Sequence, residues 1–258
     1  MGSGHASRVR RPAAAPAARS QSHTRLAEAC ARPGCPVCRC LSDDSLRQLR
    51  ALLYEHVTDP GIRGSLRRSR GFCAWHASLV GELSDSGFGS AIIAADVLGA
   101  EIARVERALA RPRRAGRLGR LLRPDRPSRA PRAMCRVCEG VRAAERRHLD
   151  ALLEMSSDAR LGDAFDRSDG LCAPHVERLL ETASDRRAVE DVARRAIARW
   201  RAILRGVTSF VDKHDHRNRE RITDAEARSW RLALELLAGA PHVFGSDVRR
   251  EAPGDRTG

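Results

Sequence analysis

The chain has 258 residues, with 47 Lys and Arg against 33 Asp and Glu and a formal net charge of +14. That length suits a protein of two modest subdomains, each near the lower limit for an independent core. With only 3% aromatic residues the core must be built from Leu, Ile, Val and Ala, the material of helix-on-helix packing. No apolar run approaches the ~18 residues of a membrane span. The arginines near the start have no hydrophobic stretch after them, so a secretory signal is not expected.

The charge is not spread evenly. Residues 1–34 hold six Arg and one Glu, and residues 111–132 hold nine Arg and one Asp, so these two stretches carry nearly the whole excess. Their Pro, Ala, Gly and Arg content predicts a disordered basic arm over 1–34 and an Arg/Pro-rich linker over 111–132. Of all the chain, the linker is best suited to touch nucleic acid or an anionic surface, because clustered arginine binds phosphates without sequence preference. A solvated tail is the plainer reading of both.

Between arm and linker, residues 35–110 open with Cys35-x-x-Cys38. An apolar stripe of Leu41, Leu46, Leu49, Leu52, Leu53 and Val57 then predicts an amphipathic helix, which Asp59-Pro60-Gly61 interrupts. A short helix carrying Ile62 and Leu66 ends at Gly71, and Cys73-x-x-His76 opens the next. A long helix with Val97, Leu98, Ile102, Val105 and Leu109 closes the segment. Residues 133–211 repeat this order, with Cys135-x-x-Cys138, a helix carrying Val141, Leu149, Leu152 and Leu153, a short helix with Leu161 and Phe165, and Cys172-x-x-His175. Pro174 suits a first helical turn. A closing helix runs through Val189, Val192, Ile197, Trp200, Leu204 and Val207. Residues 212–243 form a polar segment and a packing helix announced by the capping-box pattern Thr223-Asp-Ala-Glu226, and 244–258 are expected to be a disordered tail. Nothing alternates with period two. The fold class expected is all-α, with two tandem homologous helical repeats and a C-terminal helix.

Chance cysteines would not bring their neighbours with them, and these do. Ala51-Leu52-Leu53 matches Ala151-Leu152-Leu153, and Ser69-x-Gly71-x-Cys73-Ala74-x-His76 matches Ser168-x-Gly170-x-Cys172-Ala173-x-His175. Ile102-Ala103-Arg104 and Leu109 match Ile197-Ala198-Arg199 and Leu204. Three thiols and one imidazole per repeat fit a closed tetrahedral site, so each repeat is expected to be organised around its own Zn2+, two per chain. The quartets expected are Cys35, Cys38, Cys73 and His76 in the first repeat, and Cys135, Cys138, Cys172 and His175 in the second. An iron-sulfur cluster is the alternative cofactor. Cys40 aligns with Gly140 and Cys30 with Ala130, so both are expected to be small residues that ligate nothing, and His56 and His148 to be ordinary histidines. Metal-type spacings without a signal favour a reducing cytoplasm over disulfides.

One further cluster, Asp212, Lys213, His214, Asp215 and His216, offers low-grade candidates for acid-base chemistry or a second metal. A solvated helix end explains it more cheaply, since adjacent helical positions diverge. Lys213 is the single lysine of the chain.

Cys35-Pro-Val-Cys38, Arg70-Gly-Phe-Cys73-Ala-Trp-His76, the second copy of both motifs and Lys213-His214-Asp215 together resemble a family of uncharacterised bacterial proteins carrying a domain of unknown function, over residues 35–238. The Arg-rich linker departs from that family's pattern. The resemblance implies the repeat and the metal, and carries no activity. The function expected is therefore a zinc-binding interaction or regulatory scaffold with protein partners, not an enzyme. The alternatives are a redox or iron-sulfur protein, a metal-assisted enzyme using residues 212–216, or nucleic-acid binding through the linker.

Overall fold

A computed structural model describes residues 16–83, 86–110, 132–155, 158–241 and 243–244, with side chains from residue 21 onward. The described elements are all helical. They are α1 (Pro16–Cys30), α2 (Pro36–Arg50) continued by a π-helical turn (Ala51–Glu55), α3 (Pro60–Arg68), α4 (Ala74–Gly81), α5 (Gly87–Leu109), α6 (Arg136–Leu153), α7 (Ala159–Arg167), α8 (Ala173–Thr182), α9 (Arg186–Asp212) and α10 (Asp224–Ala238). No helix among them is long and apolar enough to cross a membrane.

Local chemistry sets most of the boundaries. Asp59 and Asp158 accept the backbone N–H groups of Ile62 and Leu161, so each caps the short helix that follows. The Asp-Pro pair at 59–60 thus both interrupts one helix and starts the next, with Pro60 in its first turn. Gly71 and Gly170 adopt φ of +81° and +77°, the left-handed conformation that lets the chain turn from the short helix into the C-x-x-H segment. Thr223 and Glu226 form the expected capping box of α10.

Helices α2 and α6 pair at the centre of the molecule and run antiparallel. The backbone of Gly140, near the start of α6, passes against Gln48 near the end of α2, while His148 further along α6 reaches Asp44 earlier in α2. Leu41, Leu49 and Leu52 from the first half, and Val141, Leu149 and Leu152 from the second, lie in one continuous core that also takes in α7, α8 and α9. A small satellite of Leu53, Leu66 and Ile93 lies under α5. The two halves therefore share a core, where composition and length led us to expect one in each. The reason is geometric: a lone amphipathic helix pair of this size buries too little, and the apolar faces of α2 and α6 cover one another.

The arm expected over 1–34 is corrected from residue 16 onward. Helix α1 packs on α2, α6 and α7, with Leu26 and Ala29 fully buried. Arg25 pairs with Asp44 at 2.8 Å, and His23 with Asp158 at 3.0 Å, so this helix straps the two halves together. Leu26, Ala29 and Cys30 are its core-facing positions at helical spacing, a short signal set in arginine-rich surroundings. At the other end Val243 is fully buried and the Phe244 ring lies 5.1 Å from that of His175, so the packed structure extends to the first residue of the expected tail. The expectations for residues 1–15, 111–131 and 245–258 fall outside the described residues.

Candidate metal centres

Each C-x-x-C begins a helix, with Cys35 at the N-cap of α2 and Cys135 at the N-cap of α6. Each C-x-x-H begins another, with Cys73 and Cys172 as the N-caps of α4 and α8. One helical turn then sets the second donor of each pair beside the first. All eight side chains are buried.

The structure brings them together crosswise. Cys35 and Cys38 stand with Cys172 and His175, and Cys73 and His76 stand with Cys135 and Cys138, with the donor atoms of each set within 4.8 Å of one another. The quartets expected within each repeat are thereby corrected: the eight residues do fall into two Cys3His sets, but every set takes its C-x-x-C from one half and its C-x-x-H from the other. Helix length is the cause. From Cys35 the 15 residues of α2 and the five of the π turn carry the chain roughly 30 Å away, and the nine of α3 return it by only about 13 Å. Cys73 and His76 therefore stay at the far end of α2, which is where antiparallel α6 begins.

The spacings suit a single tetrahedral ion. Bonds of ~2.3 Å to sulfur and ~2.0 Å to nitrogen require donor separations of roughly 3.8 Å for sulfur pairs and 3.5 Å for sulfur with nitrogen. In the first centre Cys38 and Cys172 are 3.6 Å apart, and His175 Nδ1 is 3.4, 3.6 and 3.0 Å from Cys35, Cys38 and Cys172. In the second Cys73 and Cys138 are 3.7 Å apart, and His76 Nδ1 is 3.3, 3.7 and 3.4 Å from Cys73, Cys135 and Cys138. The thiols are free, not disulfide-bonded.

The electrostatics of the two groups follow from the crowding of their thiols. Hydrogen bonds from Cys135 and Cys138 hold Cys73 far below an ordinary thiol, and the same contacts push Cys138 far above one. In the other centre burial raises Cys35, but hydrogen bonds from Cys172 and Cys38 outweigh it and lower the thiol, while those bonds raise Cys172. Burial would lower His76, yet the Cys135 and Cys73 sulfurs bring its imidazole up to about 9. Crowding thus drives neighbouring thiols in opposite directions and favours the charged ring. A divalent cation would let all three ionise and return the ring to its neutral, ligating form.

Several neighbours were not singled out from sequence. Glu145 is 3% exposed on α6, and its carboxylate lies 3.5 Å from His175 Nε2, opposite the nitrogen that faces the sulfurs. The backbone N–H of Ala240 points at Cys38 Sγ, 3.5 Å away. Nε2 of both His76 and His175 is buried without a hydrogen-bond partner. A buried carboxylate between Arg142 and Arg146 on an amphipathic helix was the available signal for Glu145, and sequence alone did not say which histidine it would face.

Cys30 and Cys40 belong to neither set, and burial pushes both thiols up to about 12. His56 is exposed, whereas His148 is buried and paired with Asp44 at 3.0 Å. Of the residues at 212–216, Asp212, His214, Asp215 and His216 line one open surface hollow and His216 lies 3.2 Å from Asp215, but they form no metal-type group. His214 donates to the Phe210 carbonyl at 2.7 Å, and the Asp212 carbonyl accepts from Asn218, as groups at a helix end do. Lys213 reaches across to Glu226 at 2.8 Å and to the Arg221 carbonyl, pinning the start of α10 to the end of α9.

A family model described as a family of unknown function, DUF6062, matches residues 25–231. The chain belongs to that family. No curated protein and no solved structure matches it. The matched span includes all eight Cys and His residues of the two groups and the last part of α1, and stops within α10.

Proposed function

We propose that this chain is a structural-zinc scaffold in which a duplicated helical unit is locked to its own copy by two crossed metal clasps. The observation that carries the reading is that both Cys3His sets are closed. Each has its four donor atoms within 4.8 Å of one another on residues no more than 1% exposed, which suits a four-coordinate ion with no position open to substrate or water. Zinc is favoured because the donors sit as close as one ion requires. Cysteines ligating different irons of a cluster must stand around a larger body. Such a site contributes folding energy directly. Here it acts between sequence-distant partners, joining Cys38 to Cys172 across 134 residues and Cys73 to Cys138 across 65. The scaffold then presents the long helices α5 and α9 to protein partners.

Elemental analysis of the purified chain tests this reading. Two zinc per chain, a colourless protein, and a cooperative loss of helicity on chelation are expected. Iron with broad visible absorption would replace the reading with an iron-sulfur one.

A further inference from the structure

Helix α5 presents an apolar seam that no described residue covers. Phe88, Ala91, Ala95, Leu98, Ile102, Val105 and Leu109 follow one another at steps of three and four, an unbroken a/d heptad pattern. Among them Phe88 is 83% exposed, Leu98 62% and Leu109 79%, and the two alanines are exposed as well. The opposite face is the one that binds the helix to its own body. Ile93 and Val97 join the satellite core, Gly89 passes against the Leu53 carbonyl, and Asp96 pairs with Arg63 and Arg67 at 2.7 Å. The seam is therefore not a core face turned outward by misplacement. A period of 3.5 residues matches a partner helix, not a globular surface.

The second half shows what such a face takes. Ile102 and Leu109 correspond in the repeat to Ile197 and Leu204, which line a groove of about 620 Å3 together with Trp230, Leu234 and Leu237 of α10. In that half α10 stands beside the face, although Ile197 and Leu204 remain 40% and 63% exposed along the open groove. The first half has no such helix beside the seam among those described.

We infer that α5 pairs with α5 of a second copy, antiparallel, to form a homodimer. Size and charge select the orientation. With the two-fold axis between Ala95 and Leu98, Ala95 of one copy faces Leu98 of the other, Ala91 faces Ile102, and Phe88 faces Val105, so small meets large in the central layers. Glu101 then lies opposite Ala94. A parallel pair would set Ala91 and Ala95 against their own copies, thinning one end, and would place Glu101 across from Glu106 of the other copy, a like-charge contact. The helix of 23 residues is about 34 Å long, which puts the interface near the low end of specific contacts, at about 1,200 Å2. The dimer should therefore form at micromolar concentration.

Sedimentation equilibrium of the full, metal-loaded chain from about 1 to 100 μM reads this directly. A monomer-to-dimer shift across that range is expected, and Ile102→Glu should hold the chain monomeric at unchanged helicity and metal content. A wild-type chain that stays monomeric, as it would if the seam served a different protein, overturns the inference, and so does a dimer indifferent to Ile102→Glu. Orientation is read by mild oxidation of mixed Phe88→Cys and Val105→Cys chains, which should cross-link to each other. Phe88→Cys alone should not, since the two copies of that position would lie about 25 Å apart. Self-cross-linking of Phe88→Cys, or none in the mixture, contradicts the antiparallel register. The metal reading could fail while the dimer stands, because metal content is measured separately.

Discussion

Glu145 and Asp44 show how single side chains serve the clasps and the helix pair that aligns them. His175 turns Nδ1 to the sulfurs and leaves Nε2 without a hydrogen bond, 3.5 Å from the Glu145 carboxylate, whose negative charge favours a cation in that centre. Glu145→Gln removes that buried charge and should weaken metal binding at that centre by roughly two- to tenfold, leaving the His76 centre unchanged. Competition with a chromophoric chelator resolves the two affinities. Asp44 is buried between His148 and Arg25, and although burial raises its carboxyl, hydrogen bonds from His148 and Arg25 bring it down to about 2. Its folded pKa lies below the unfolded value of ~3.9, so its contribution is present above about pH 4 and is lost as the pH falls through about 2. Asp44→Asn should cost about 2 kcal/mol near neutrality, by leaving His148 without its anionic partner. The gap between the two proteins in urea denaturation should shrink to roughly half by pH 3. A gap constant with pH would mean that Asp44 contributes by packing alone.

Among the helices, caps were the most legible features of the sequence and helix pairing the least. Thr223 and Glu226 announced α10, and Cys172-Ala-Pro-His175 announced α8, because capping chemistry is local and spans one turn. The pairing of α2 with α6 left no such mark, since an apolar stripe states that a helix is covered but not by what. Helix α1 was missed for the converse reason: three core positions could not outweigh the arginines around them. Lys213 likewise read as a lone amine of interest, while its role as a tie between α9 and α10 depends on Glu226, 13 residues away. The closest approach of α5 to its own body is at Gly89, where a Cβ would stand 2.0 Å from the Leu53 carbonyl oxygen. Gly89→Ala should therefore destabilise by about 1–3 kcal/mol. Gly99→Ala, in the same helix with open space around it, should be neutral or stabilising by up to ~1 kcal/mol. Thermal denaturation of both variants makes the comparison. Equal effects would show that α5 is not seated on the π turn.

For the molecule as a whole, the eight Cys and His residues that gather into two metal-type groups were legible and their partnership was not. Spacing of C-x-x-C and C-x-x-H in each half is equally compatible with a clasp inside each half and a clasp between halves. The choice belongs to the antiparallel α2–α6 pair, which sets the start of each of these helices beside the end of the other, and to a short α3 that does not bring the chain back. The same geometry explains why there is one principal core, running through both halves. Serine double variants separate the two pairings by metal content. Crossed clasps predict that Cys35→Ser with Cys172→Ser removes donors from one centre only and leaves one ion per chain, whereas Cys35→Ser with Cys73→Ser damages both and leaves none. The reverse result, one ion retained by the Cys35 and Cys73 pair and none by the Cys35 and Cys172 pair, would place each ion within a single repeat and contradict the account.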